Sequence, residues 1–147
     1  MTETTQRLEH LVRTGLDYFS RSSESEMAHK HSPGKWSKKE VLGHLIDSGI
    51  NNLQRFTEIQ YENKPYQIRK YKQDELVKAN NYQEAELDEL IGLWTALNQR
   101  IVNLMGNQTE QALNYEIELP DGTSSDLRFL MIDYVDHLEY HLKQVLI

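Results

Sequence analysis

Near the C-terminal end of the chain His137 and His141 stand four residues apart, and a third histidine, His44, lies far upstream in Trp36-Ser37-Lys38-Lys39-Glu40-Val41-Leu42-Gly43-His44-Leu45-Ile46-Asp47. Residues four apart on an α-helix project from nearly the same side, one turn apart. His137 and His141 can therefore hold one ion while the third imidazole arrives from another helix. Three protein ligands leave a coordination position open for water or substrate, which distinguishes a catalytic zinc site from a closed structural one. A divalent ion held in this way makes a nucleophile near neutral pH from water, and would equally deprotonate a coordinated thiol. The imidazole set suits zinc or nickel, with iron or manganese as alternatives.

Two carboxylates fall one turn from these histidines. Asp47 follows His44 and Asp133 precedes His137, and either can accept the ring N–H that a metal ligand has left over. Asp47 is the better candidate for orienting its histidine, with duty as a general base the lesser role. The competing reading is plain: two half-buried imidazoles hydrogen-bonded to backbone or carboxylate. The zinc-protease pattern His-Glu-x-x-His is excluded because Leu138 stands where the glutamate belongs. Asp136 and Glu139 read as a solvated face, and His10, His29 and His31 as surface or loop residues.

Four segments with helical periodicity must position the three histidines. The first, Glu3 to Ser20, places Leu8, Leu11, Val12, Gly15, Leu16 and Phe19 on one stripe. Arg21 to Lys35 breaks the pattern and reads as a loop that can border a pocket. The second helix starts on a capping box, Ser37 with Glu40, and runs to about Tyr61. The third, Gln83 to Met105, carries Leu87, Leu90, Ile91, Trp94, Leu97, Ile101 and Leu104 and meets Gly106 as a left-handed cap. The fourth, Ser125 to Leu146, turns Leu127, Leu130, Met131, Tyr134, Val135, Leu138, Leu142 and Val145 inward.

The connection from Glu62 to Tyr82, with a short helix at Asp74 to Asn80, is longer than a helical hairpin needs and permits a parallel crossover of the second and third helices. Tyr115 to Leu119 reads as a short strand before the turn Pro120-Asp121-Gly122. The expected fold is all-α, a four-helix bundle in one domain over residues 1–147. On helical wheels His141 falls inside its apolar stripe, while His137 and His44 lie at stripe edges. All three can thus line a polar pocket at one end of the bundle. Trp36, just ahead of the Ser37 cap, reads as a hydrophobic staple onto Val41.

Composition bounds the class. The 147 residues are 38% hydrophobic and 27% charged, enough for a substantial core. There is no run of about 20 apolar residues to span a bilayer and no signal-peptide pattern at the start, so the expectation is a cytoplasmic protein without a membrane partner. A formal charge of −7, with Arg69-Lys70-Tyr71-Lys72 as the one basic stretch, argues against a nucleic-acid partner. The absence of cysteine removes disulfides, thiolate metal sites and any thiol nucleophile of the chain's own.

Trp36-Ser37-x-x-Glu40 leading into Gly43-His44-Leu45-x-Asp47-Ser48, with Asp133-Tyr134-Val135-x-His137-x-x-x-His141-x-x-Gln144 at the end, resembles the DinB/YfiT-like superfamily of small metal-binding four-helix proteins. Tyr71-x-Gln73-Asp74-Glu75, Tyr82 and Leu87-x-x-Leu90-Ile91-x-x-Trp94 resemble the middle region of that family. The resemblance implies an up-down-down-up bundle, a homodimer, and a divalent ion on His44, His137 and His141 completed by water. It also implies a small-molecule substrate. Members are commonly labelled metal-dependent hydrolases, while characterised relatives are transferases and isomerases that use a low-molecular-weight thiol as cosubstrate. Three readings follow: a metal-dependent hydrolase or thiol transferase, a non-catalytic metal or small-ligand binding bundle, or a helical interaction protein whose histidines are incidental.

Overall fold

The computed structural model describes residues 1–147. The four amphipathic stripes become four long helices, here α1 (Thr2–Arg21), α3 (Lys38–Glu58), α5 (Leu87–Gly106) and α7 (Leu127–Val145). Their apolar faces meet in one cluster that runs from Leu8 to Val145, with Trp94, Phe19, Phe56 and Leu8 among its fully buried side chains. Every residue assigned inward on the last helix is buried. None of the helices is long and apolar enough to cross a membrane.

Contacts along the helices fix their directions. Lys39 near the start of α3 donates to the Ala85 carbonyl just ahead of α5, and Gly49 further along faces Leu97, so α3 and α5 run parallel. Arg7 of α1 reaches Asp136 and Glu139 of α7, and Gly15 lies against Leu142, so α1 and α7 also run parallel. His44 meets His137, whereas Phe56 meets Tyr134 earlier in α7, so α3 and α7 are antiparallel. The result is the up-down-down-up bundle, in which α1 and α3 are each packed against α5 and α7.

The long connection makes the parallel crossover possible. It holds β1 (Tyr66–Gln67), the short helix α4 (Gln73–Ala79) and a 3₁₀ turn (Tyr82–Glu84). Strand β2 (Glu116–Glu118) pairs in parallel with β1 and antiparallel with β3 (Ser124–Asp126). This small sheet closes the end of the bundle where α3 stops and α7 begins. The turn between β2 and β3 needs glycine, since Gly122 sits at φ +88°.

Several local expectations are corrected. The Ser-rich stretch is not all loop, because Ser23 accepts from the Glu26 N–H and caps the short helix α2 (Glu24–Ala28), whose Met27 is buried. The third long helix begins at Leu87 rather than Gln83, since the chain first makes the 3₁₀ turn that buries Tyr82. Gly106 is the last helical residue and takes no left-handed conformation, so α5 ends without a glycine cap. A four-residue helix, α6 (Glu110–Leu113), follows it.

Candidate metal centre

The two helices that carry the histidines are each set at their N-terminus by a side-chain cap. Ser37 accepts from the Glu40 N–H at 3.1 Å while the Glu40 carboxylate accepts from the Ser37 N–H at 3.0 Å. Asp126 accepts from the Phe129 N–H at 2.8 Å and starts α7 directly from the sheet. With the starts defined and the helices antiparallel, His44 is brought opposite His137 and His141. One ring nitrogen from each of the three lies within 4.8 Å of the others. His44 Nε2 and His137 Nε2 are 3.1 Å apart, and the ring centroids of His44 and His137 lie 4.6 Å from that of His141.

His44, at a stripe edge by helical phase, is completely buried. Helical periodicity placed it against α7, but the crossover covers the remaining side of α3, and Leu42 to Gly49 are all buried. The Tyr82 ring packs directly on Gly43, where a Cβ would stand 2.3 Å from its Cγ. Trp36 has a contact beyond the expected staple, because its ring lies 5.0 Å from that of His44. A residue ahead of the cap folds back along its own helix, and here the indole reaches the histidine.

Burial governs the electrostatics. Desolvation, and secondarily the charges His137 and His141 would carry, push the His44 pKa down to about 3. The same causes in the same order, with His141 as the neighbour, bring His137 to about 4. Burial lowers His141 too, against a hydrogen bond with Gln144 that raises it. Gln144 Oε1 stands 3.0 Å from His141 Nδ1. An amide oxygen only accepts, so this contact places the ring proton on Nδ1 and leaves the other nitrogen free to ligate.

Two of the chain's carboxylates are placed otherwise than at a histidine. Asp47 Oδ1 accepts from the Tyr82 hydroxyl at 2.6 Å and from Asn80 Nδ2 at 3.2 Å, while Oδ2 is buried without a partner. Burial raises the Asp47 pKa. No hydrogen bond joins it to His44, whose Nδ1 is likewise buried and unpartnered. Asp133 is exposed, and it is Ser48 Oγ that lies nearest His137 Nδ1, at 3.5 Å. Asp136 and Glu139 pair with Arg7 at 2.7 Å each. Tyr134 is core, its hydroxyl donating to Asn98 at 2.8 Å.

These low pKa values have a consequence for stability. In the unfolded chain each histidine protonates near pH 6.5, whereas folded His44 and His137 stay neutral down to about 3 and 4. Below pH 6.5 the unfolded state therefore binds more protons, and stability falls as pH drops toward those values. Metal-free chain is expected to lose roughly 2 kcal/mol through His44 alone between pH 7 and pH 4.5. Denaturant midpoints for wild type and His44→Ala measured at both pH values check this: the difference between them should shrink or reverse at low pH.

Beside the cluster opens a cavity of about 690 Å³, lined by Trp36, Val41, Gln144 and Val145 with His29, His31, Lys35 and Asp74 among the polar residues. Trp36 and Gln144 belong both to this cavity and to the contacts of the histidines. The donor set fits one divalent ion: three neutral imidazoles converge, and His44 Nε2 and His137 Nε2 at 3.1 Å can share at most one proton. Gln144, Ser48 and Tyr82 stand in the motifs that carry the resemblance but had no role assigned from the sequence. Gln144, one turn beyond His141, was the one detectable by spacing.

Known proteins resemble the chain over nearly its whole length. A protein of Halalkalibacterium halodurans, named provisionally as a metal-dependent hydrolase, is 24% identical over 136 residues, which is 92% of this chain and 75% of that protein. The structure of YfiT from Bacillus subtilis, described as a probable metal-dependent hydrolase with an unusual four-helix bundle topology, superposes with a TM-score of 0.84 at 23% identity. The match covers 98% of this chain and 82% of that one. A mycothiol-dependent maleylpyruvate isomerase superposes with a TM-score of 0.65 at 18% identity, over 95% of this chain but 59% of the isomerase. Residues 2–145 match the sequence profile of the DinB superfamily, and the chain, with its up-down-down-up bundle and facing histidines, belongs to that superfamily.

Proposed function

We propose that the chain is a metal-dependent enzyme whose single divalent ion is held by His44, His137 and His141, and that it acts on a small molecule by hydrolysis or by transfer of an external thiol. The observation that carries this reading is the convergence of three imidazole nitrogens within 4.8 Å, two of them kept neutral by burial. When bound, the ion supplies Lewis acidity that makes a nucleophile of water or thiol at neutral pH. The residues do the rest. Neutral imidazoles leave the positive charge undiminished, and Gln144 holds the His141 ring in the ligating tautomer. Trp36 forms a wall between His44 and the cavity, where it can exclude water and stack against an apolar part of a substrate. Asp47, with Oδ1 already taken by Tyr82 and Asn80, ties the crossover to α3 rather than orienting His44.

The thiol route requires a cosubstrate, because the chain has no cysteine. Metal-loaded and metal-stripped protein assayed with p-nitrophenyl acetate, and with 1-chloro-2,4-dinitrobenzene in the presence and absence of glutathione, separates the routes. Ion-dependent acceleration of ester cleavage supports hydrolysis, and ion- and glutathione-dependent arylation supports thiol transfer. Tight metal binding with no acceleration across a wider panel of esters, amides and thiols would favour a non-catalytic binding protein instead.

A further inference from the structure

A polar line runs down the buried face of α3 from His44, at Ser48, Asn52 and Arg55, spaced four, four and three residues apart on one side of the helix. Ser48 is 1% exposed and Asn52 6%, yet neither belongs to the apolar core, and the metal-ligand assignment does not use them. Arg55 Nη1 donates to Asn52 Oδ1 at 3.4 Å, and the guanidinium is held in place by the Arg69 carbonyl and the Tyr71 ring. A guanidinium has no acceptor. It therefore fixes which way the Asn52 amide points, oxygen toward Arg55 and nitrogen toward Ser48. Asn52 Nδ2 then donates to the Ser48 carbonyl at 2.9 Å and lies 3.4 Å from the Ser48 hydroxyl oxygen. That hydroxyl oxygen is 3.5 Å from His137 Nδ1, across the α3–α7 interface.

The same line bears on where the His137 proton sits, since it puts a hydroxyl beside Nδ1. Only one proton fits between the Nε2 atoms of His44 and His137. A proton on His137 Nδ1 finds an acceptor in Ser48, whereas a proton on its Nε2 would point into the cluster and block ligation. We infer that Ser48, held by Asn52 and through it by Arg55, is the positioning residue for His137: its hydroxyl oxygen accepts the Nδ1–H and keeps the Nε2 lone pair directed at His44 and His141. The inference rests on the three-histidine reading above and replaces the Asp133 carboxylate, the partner expected from spacing, with a neutral hydroxyl. A neutral acceptor leaves the imidazole less electron-rich than a carboxylate would, and so keeps the bound ion more electrophilic.

Two measurements test it. Zinc affinity, read by competition with a chromophoric chelator, should fall about 10- to 100-fold in Ser48→Ala and stay within about threefold of wild type in Ser48→Thr, which restores the hydroxyl. Two-bond ¹H–¹⁵N correlation spectra of the metal-free protein above pH 7 should show His137 as the Nδ1–H tautomer in wild type and Ser48→Thr, and shifted toward Nε2–H in Ser48→Ala. A packing role alone would move neither the tautomer nor the Thr rescue. Unchanged zinc affinity together with an unchanged tautomer in folded Ser48→Ala overturns the inference while the metal site stands. Absence of zinc binding in wild type overturns the metal reading instead, and the metal-free tautomer comparison still decides the role of Ser48.

Discussion

Protein purified without chelating resin is expected to carry close to one divalent ion per chain, and the His44→Ala/His137→Ala double variant none. If three imidazoles share a binding free energy of about 12 kcal/mol, each is worth about 4 kcal/mol, so a single loss weakens binding on the order of a thousandfold. Two losses leave His141 alone, no better than a surface histidine. Elemental mass spectrometry on both proteins makes the comparison directly. The linked effect is thermal: at a free-ion concentration a thousand times the dissociation constant, binding stabilises the folded chain by about 4 kcal/mol. Wild type should therefore melt several degrees higher with added zinc, nickel or manganese, whereas the double variant should not respond. Equal metal content in the two proteins, or no uptake by wild type of any of the three ions, would remove the site and leave a helical interaction protein as the better description.

The second large effect concerns a residue with no chemistry of its own. Gly43→Ala is expected to cost about 3 kcal/mol, at the upper end of overpacking penalties. The new Cβ would stand 2.2 Å from Cδ2, 2.3 Å from Cγ and 2.8 Å from Cβ of Tyr82. These atoms are the root of that side chain, so it cannot swing aside as a flexible tip would. Tyr82 and the crossover it anchors must move, and with them goes the hydrogen bond from the Tyr82 hydroxyl to Asp47. The melting temperature should drop by roughly 10 °C for a domain of this size. Gly92→Ala is the matched control: it lies inside α5, exposed, with nothing near its would-be Cβ. There the same substitution should raise stability by about 0.5–1 kcal/mol, because alanine loses less backbone freedom on forming helix. Similar melting temperatures for the two variants would contradict the close approach at Gly43.

Particular residues show what was legible in the chain and what was not. His137 and His141 could be paired from spacing alone, since one helical turn puts them on one side whatever surrounds them. The inward face of α7 was readable residue by residue for the same reason, and the Ser37–Glu40 capping box set the start of α3 and with it the phase of His44. These are properties of a few consecutive residues, governed by local geometry. The length of the connection between α3 and α5 permitted a parallel crossover without requiring one, since a long loop can return to either end of the bundle.

Other features depend on what folds back over a helix, and no periodicity records that. His44 lies at the edge of its stripe by phase but is fully buried because α4 and Tyr82 cover the outer side of α3. Asp47 and Asp133 stand at the right spacing to assist a histidine, yet Tyr82 and Asn80 take the first, and the second makes no hydrogen bond to His137, whose Nδ1 faces Ser48 instead. The polar contacts of His137 and His141 come from Ser48 across an interface and Gln144 one turn on, and the Trp36 indole reaches His44 rather than serving only as a staple. Sequence by itself determined the four long helices, their inward faces and the pairing of His137 with His141, all set by spacing along single segments. Tertiary structure decided which neighbours those histidines have, because burial and hydrogen-bond partners depend on side chains that arrive from distant segments.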